Sequence, residues 1–213
     1  MAASTPKRIV LLTGPPGVGK TTAVETFVSK WQQRSPSSPS SGCFGFVTKE
    51  IRKQQGRGCG REGFKIETLH HKQTVVLAHE NIRSSKHRVG KYGVDVDALD
   101  HAVLPELSVA AIAAAGSGEQ QGRKEPTLIV IDEIGKMECF SRQFCSLVEQ
   151  LVEHVAEPAN HCFMVGTIAL RTTIPFIEGL KRRDGDALEL WHVSRENRQQ
   201  VPARLLAYFH PDT

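Results

Sequence analysis

The run Gly14-Pro15-Pro16-Gly17-Val18-Gly19-Lys20-Thr21 fits the pattern G-x-x-x-x-G-K-[ST]. Each residue type in it answers a demand of a polyphosphate, whose dense negative charge must leave water. Successive backbone N–H groups turned inward form an anion nest, and a helix that follows adds its positive N-terminal end. Gly17 and Gly19 open backbone dihedrals that other residues avoid and let the chain approach the phosphates. Pro15 and Pro16 carry no N–H, so they stiffen the entrance and leave Gly17 to Thr21 as the expected donors. Lys20 reaches the β- and γ-phosphates, and the Thr21 hydroxyl is a ligand for Mg²⁺.

A second group lies in Leu128-Ile129-Val130-Ile131-Asp132-Glu133, an apolar strand ending in two acids, which resembles a Walker B element. Ligands of parallel sheets gather at the carboxyl ends of the strands, where Asp132 would hold Mg²⁺ through a water. Glu133, one residue on, is placed to orient or deprotonate a water. Two adjacent carboxylates repel each other unless a cation is near. Two basic residues remain open between roles. Lys136 either offsets charge on a transferred phosphoryl group or pairs with Glu138 at the surface. Arg88 either acts as an arginine finger in cis or belongs to a surface basic cluster. The pair His70-His71 reads as surface histidines.

The elements that must position these groups follow from periodicity. Arg8 to Thr13 is a short β-branched apolar run suited to a strand buried on both faces. From Lys20, residues Val24, Phe27, Val28 and Trp31 form one helical stripe. Ser35 to Gly42 is a Ser/Pro loop, and Gly116 to Pro126 a second polar loop. Gly45–Ile51 and Gly63–Leu69 are predicted strands of a hairpin turning through Gly56–Gly60, with Thr74–Ala78 as a third strand. Asp97 is expected to cap a helix from Ala98, with Pro105 disturbing its interior, and Ser141 to cap another with an apolar face. Cys162–Thr167 and Leu188–Val193 complete the core strands. Arg195–Phe209 is expected to be helical, with Pro202 a kink or restart. Strands alternating with helices imply an α/β fold with a mainly parallel sheet covered on both faces.

The chain has 213 residues, enough for a single domain with its own core, here residues 1–213. A formal charge of +4 argues against nucleic acid as a partner, while a local patch can still hold phosphate. The five cysteines include no Cys-x-x-Cys pair, which argues against a disulfide scaffold and points to a reducing, cytoplasmic setting. No apolar run is long enough for a membrane helix. A monomer is expected, with protein partners unspecified.

Several ordered segments together resemble the THEP1-type nucleoside-triphosphatases, among them the cancer-related nucleoside-triphosphatases. They are Leu12–Thr22, Gly45–Arg52, Gly63-Phe64, Arg88–Tyr92, Ile131–Glu138, Gly166–Ile168 and Val193–Arg198. The run Asp132-Glu133-Ile134-Gly135-Lys136-Met137-Glu138 is the most specific of them. The resemblance implies a RecA-like P-loop NTPase fold that hydrolyses ATP, GTP, CTP and UTP to the diphosphate with Mg²⁺. It also implies nucleotide-binding stretches at Gly14–Thr21, with Thr22 behind them, and at Leu128–Gly135. The Ser/Pro loop, the polar insert and the extra terminal residues depart from the family pattern as loop expansions.

The expected reaction is therefore attack of water on the γ-phosphorus. A P-loop nucleotide or small-molecule kinase is the alternative, but it needs an acceptor pocket and a lid that excludes water. A nucleotide-gated binding module is the third reading.

Overall fold

The alternation of side chains along a strand decides which face of a sheet each residue serves. In the computed structural model, all six residues of strand β1 (Ile9–Gly14) are buried. Ile9 and Leu11 belong to one core, Val10 and Leu12 to another on the opposite face. A strand buried on both sides is central to a sheet with helices on each face. The structure describes residues 7–34, 42–53, 60–115, 119–120, 123–124 and 126–209.

The chain continues through α1 (Lys20–Arg34), β2 (Cys43–Arg52), β3 (Arg61–Thr68), β4 (Thr74–His79), β5 (Arg88–Val89) and β6 (Tyr92–Val94). Next come α2 (Val96–Glu106), α3 (Val109–Ala115), the ribbon strands β7 (Glu119–Gln120) and β8 (Arg123–Lys124), and β9 (Thr127–Ile134). The remainder is α4 (Arg142–Ala156), β10 (Cys162–Ala169), α5 (Pro175–Lys181), β11 (Glu189–His192) and α6 (Val201–Phe209). One sheet has the order β11-β1-β10-β9-β2-β3-β4-β6-β5. The pairings from β11 to β2 are parallel, and those from β2 to β5 antiparallel. This is the expected α/β architecture, a parallel sheet that an antiparallel hairpin extends. Strand β10 lies between the strand that feeds the phosphate loop and the strand that carries Asp132.

Helices α1 and α6 cover one face with Val24, Phe27, Trp31, Leu205 and Phe209. Phe163 on β10 stacks within 4.9 Å of Phe209, and Phe27 lies 5.8 Å from Trp31. The other face is covered by α2 and α4 through Leu99, Val103, Phe144, Val148 and Leu151. Ser141 caps α4 as expected, its Oγ accepting from the Phe144 amide at 3.0 Å.

Several boundaries differ from the sequence reading. Asp95, not Asp97, caps α2, accepting from the Ala98 amide at 2.9 Å. Pro105 is tolerated because the helix ends one residue later. Strand β9 runs through the two acids to Ile134 rather than ending in them. The C-terminal helix begins only at Val201, with Pro202 at its second position. The cause is Asn197, whose side chain accepts from the Ser194 amide at 2.9 Å and donates to the His192 carbonyl at 2.8 Å. Such local bonds compete with helix formation. The Ser/Pro loop, apart from Gly42, and the hairpin turn, apart from Gly60, lie outside the described residues, as does part of the 116–126 insert.

Besides the β2–β9 ladder and the shared core, one buried side chain ties the hairpin to the parallel half. Glu106, at the end of α2, is fully buried. Its Oε1 accepts from the amides of Gly45 (3.0 Å), Leu69 (3.2 Å) and His70 (2.6 Å). Its Oε2 accepts from the His71 amide at 3.0 Å and meets His71 Nδ1 at 2.6 Å. His70 stacks on Phe44 at 4.4 Å. His71 is exposed and His70 half-buried, so the pair lies at the surface as expected, with both backbone amides tied into this joint. Glu106→Ala should strand these amides and destabilise the protein by at least about 3 kcal/mol, given about 1–3 kcal/mol per unsatisfied buried group. Urea unfolding measures this, and a loss below about 1 kcal/mol would contradict the joint.

Candidate active site

Strand β1 delivers the chain into the phosphate loop, and α1 carries it away. Gly17 and Gly19 sit at φ 71° and 106°, values that side chains with a Cβ rarely adopt. The loop is held by a turn in which the Val18 amide donates to the Pro15 carbonyl at 3.3 Å. The Val18 amide is thus engaged within the loop. The Gly17 and Gly19 amides remain, with those of Lys20 and Thr21 at the orphaned start of α1. Lys20 Nζ donates to the Gly14 carbonyl at 3.1 Å, holding its ammonium across the loop.

Asp132 and Glu133 reach the same end of the sheet. Asp132 is 1% exposed, and its Oδ1 accepts from Thr167 Oγ1 at 2.5 Å. Burial pushes its pKa up to about 6; the hydroxyls of Thr167 and Thr21 and the charge of Lys20 oppose the rise, and Glu133 adds to it. The Thr21 hydroxyl acts on Asp132 without meeting hydrogen-bond geometry, so Asp132 Oδ2 is buried without a partner. The Thr13 hydroxyl on β1 is likewise unsatisfied. A buried carboxylate oxygen with no donor beside a threonine hydroxyl is the donor chemistry of a hard divalent cation. Thr21 and Asp132 therefore fit Mg²⁺.

Glu133 is half-buried, and its pKa is raised by desolvation against the opposing charge of Lys20. A third acid stands behind it. Glu138 is 3% exposed, and its Oε2 accepts from the Gly135 amide at 3.1 Å. Burial above all, then the charge of Glu133, pushes its pKa up to about 8. Gly135 leaves room for both acids: a Cβ there would lie 2.8 Å from Glu133 Oε1 and Glu138 Oε2, so either carboxylate would have to shift.

A cleft of about 660 Å³ joins these groups. The phosphate loop contributes Pro16, Gly17, Gly19, Lys20, Thr21 and Thr22, and the end of β9 contributes Asp132 and Glu133. Lys136 also lines it; the residue is exposed and makes no ion pair among the described residues, so the suggested pairing with Glu138 is absent. Leu128, Ile129, Val130, Ile131 and Ile134 are core residues that position the acids. Arg88 lies outside the lining. Its guanidinium donates to the carbonyls of Ile82 (3.2 Å) and Lys91 (2.8 Å), clasping the β5–β6 turn, and its neighbour Val89 faces the cleft instead.

The far wall of the cleft comes from the hairpin, through Thr48, Lys49, Glu50, Arg52, Arg61 and Phe64. The residue types gave these no role; only the resemblance singled out the stretches Gly45–Arg52 and Gly63-Phe64. Thr167 and Arg198 were missed in the same way. Arg198 Nη1 donates to the Val18 carbonyl at 3.4 Å, and its stem lies 3.5 Å from where a Cβ on Gly19 would stand.

The comparisons with known proteins place the chain in a family. A family profile described as NTPase matches residues 9–206. The chain is 33% identical over 198 residues to nucleoside-triphosphatase THEP1 of Aquifex aeolicus, covering 93% of this chain and 97% of the relative. It is 35% identical over 206 residues to the cancer-related nucleoside-triphosphatase homolog of Mus musculus, covering 94% and 95%. The crystal structure of THEP1 from Aquifex aeolicus superposes with a TM-score of 0.71 at 30% identity, covering 95% of this chain and 99% of that one. The solution structure of a human cancer-related nucleoside triphosphatase gives 0.70 at 29% identity, covering 97% and 99%.

The burial of Glu138 sets a pH dependence. Its folded pKa lies above its unfolded value of 4.5, so the fold favours the protonated form. Stability is therefore lost as pH rises from 4.5 through about 8. In nucleotide-free protein, Glu138→Gln should gain on the wild type across that window and show little gain below it. Thermal unfolding at several pH values reads this, and parallel curves for the two proteins would contradict it.

Proposed function

The chain belongs to the THEP1-type nucleoside-triphosphatase family and is a nucleoside-triphosphatase, and from that premise we propose that it hydrolyses ATP, GTP, CTP and UTP by Mg²⁺-dependent attack of water on the γ-phosphorus. The observation that carries this reading is the convergence of Lys20, Thr21, Asp132 and Glu133 on one cleft.

The Gly17, Gly19, Lys20 and Thr21 amides receive the phosphate tail. Lys20 exchanges the Gly14 carbonyl for phosphate oxygens, a charge-assisted bond in place of a neutral one. Thr21 and Asp132 would hold Mg²⁺, which when bound offsets phosphate charge as Lewis-acid chemistry requires. Glu133 orients a water in line with the γ-phosphorus and takes its proton as the new P–O bond forms. The bond from the γ-phosphorus to the bridging oxygen breaks, the diphosphate leaves, and the proton passes from Glu133 to solvent. The raised pKa of Glu133 suits it to accept that proton. Thr167 fixes Asp132 through their bond. Glu138 holds the Gly135 amide, which fixes the backbone just after Glu133.

The sequence carries no guanine-specific Asn-Lys-x-Asp run, which supports broad base tolerance. Free thiols at Cys43, Cys139, Cys145 and Cys162 support a reducing, cytoplasmic setting. No described helix is long and apolar enough to cross a membrane.

Two substitutions separate binding from chemistry. Glu133→Gln should keep nucleotide affinity and lower kcat by about 10²–10⁴-fold, the range of a lost general base. Lys20→Ala should abolish turnover and weaken triphosphate binding. A phosphate-release panel over the four nucleotides, without added acceptor, measures turnover, and titration with a slowly hydrolysed ATP analogue measures affinity. Full activity of Glu133→Gln would remove the water-orienting role, and strict dependence on an acceptor would favour a kinase.

A further inference from the structure

Hydrolysis leaves one charge unanswered on the side of the γ-phosphate away from the loop. As the phosphoryl group transfers, charge spreads over its equatorial oxygens, and a second cation there stabilises the transition state. Arg88 does not face the cleft. Four other basic residues do besides Lys20, namely Lys49, Arg52, Arg61 and Lys136.

Three of them are poorly prepared. Lys49 Nζ is already claimed by Glu67 at 2.6 Å and Glu25 at 3.3 Å. Lys136 is exposed and unpaired among the described residues, so fixing its flexible stem costs entropy. Arg52 is 65% exposed and held only through Glu50, two residues back on its own strand.

Arg61 is held at both ends. Its carbonyl accepts from the Tyr92 hydroxyl at 3.1 Å, and its guanidinium lies 5.0 Å over the Phe64 ring. Phe64 is buttressed edge-on by Tyr92 at 5.4 Å. Arg61 Nη2 donates to Glu50 Oε1, while Arg52 occupies the other oxygen, Oε2, through Nε at 3.1 Å and Nη2 at 2.9 Å. Arg61 can therefore leave Glu50 without stranding that carboxylate. A planar guanidinium, already oriented and with donors to spare, suits a trigonal phosphoryl group better than an ammonium.

We propose that Arg61 is a catalytic residue, the cation supplied in cis that contacts the γ-phosphoryl group in the transition state. The assignment rests on the hydrolysis reading above and deepens it. Ground-state binding depends on the phosphate loop, so Arg61 acts on turnover rather than affinity.

The test uses the full chain with ATP and Mg²⁺. Arg61→Ala, and Arg61→Gln as a second variant of similar length, should lower kcat by about 10²-fold or more, below or within the range known for arginine fingers. KM and the affinity for a slowly hydrolysed ATP analogue should stay within about threefold, whereas binding of ADP with aluminium fluoride, which mimics the transferring group, should fall by about 10²-fold. Arg61→Lys should recover only a minor part of the rate. Wild-type kcat and wild-type aluminium fluoride binding in both Arg61 variants would overturn the assignment. So would equal losses for the ATP analogue and the aluminium fluoride complex, or the full pattern of losses appearing in Arg52→Ala alone. A wild-type chain that releases no phosphate would instead sink the hydrolysis reading itself, and the assignment with it.

Discussion

Carboxylates that leave water must find positive charge or give up their own. Asp132, Glu133 and Glu138 crowd one end of the sheet, and burial raises the pKa of all three. Lys20 opposes the rise for Asp132 and Glu133, but its ammonium is shared with the Gly14 carbonyl. Asp132 Oδ2 is left with no donor. A ligand that carries cationic charge into the cleft would relieve an arrangement this costly.

The architecture sets that tension in place. The parallel half of the sheet brings the phosphate loop and the acids to one edge, separated by the width of β10. Thr167 on that intervening strand reaches Asp132. The antiparallel extension then supplies the opposite wall. It is held by Glu106 through backbone amides on both sides of the joint, Gly45 on β2 and Leu69 to His71 after β3. Parallel strands alone would leave the cleft open on the hairpin side.

Local chemistry was legible in the sequence, and distant chemistry was not. The phosphate loop could be read because its glycines, its lysine and the following helix are consecutive. Asp132 and Glu133 stood out because they follow a continuous apolar run, although the strand itself continues to Ile134. Glu138 looked like a surface partner for Lys136, since nothing in the spacing shows that it is buried. Thr167 meets Asp132 across 35 residues, Glu106 meets Gly45 across 61, and Arg198 meets Val18 across 180. No periodicity spans such separations. Arg88 was placed in the right neighbourhood, but a two-residue strand decides its direction, and pattern cannot resolve an element that short.

The central claim is that the acids at the end of β9 await a divalent cation arriving with a triphosphate. Calorimetric titration of a slowly hydrolysed ATP analogue, with and without Mg²⁺, into wild-type and Asp132→Asn protein tests it most directly. The account predicts that Mg²⁺ tightens binding to the wild type by about tenfold or more, the equivalent of about 1.4 kcal/mol, and that Asp132→Asn loses most of that gain. Equal wild-type affinity with and without Mg²⁺ would contradict it.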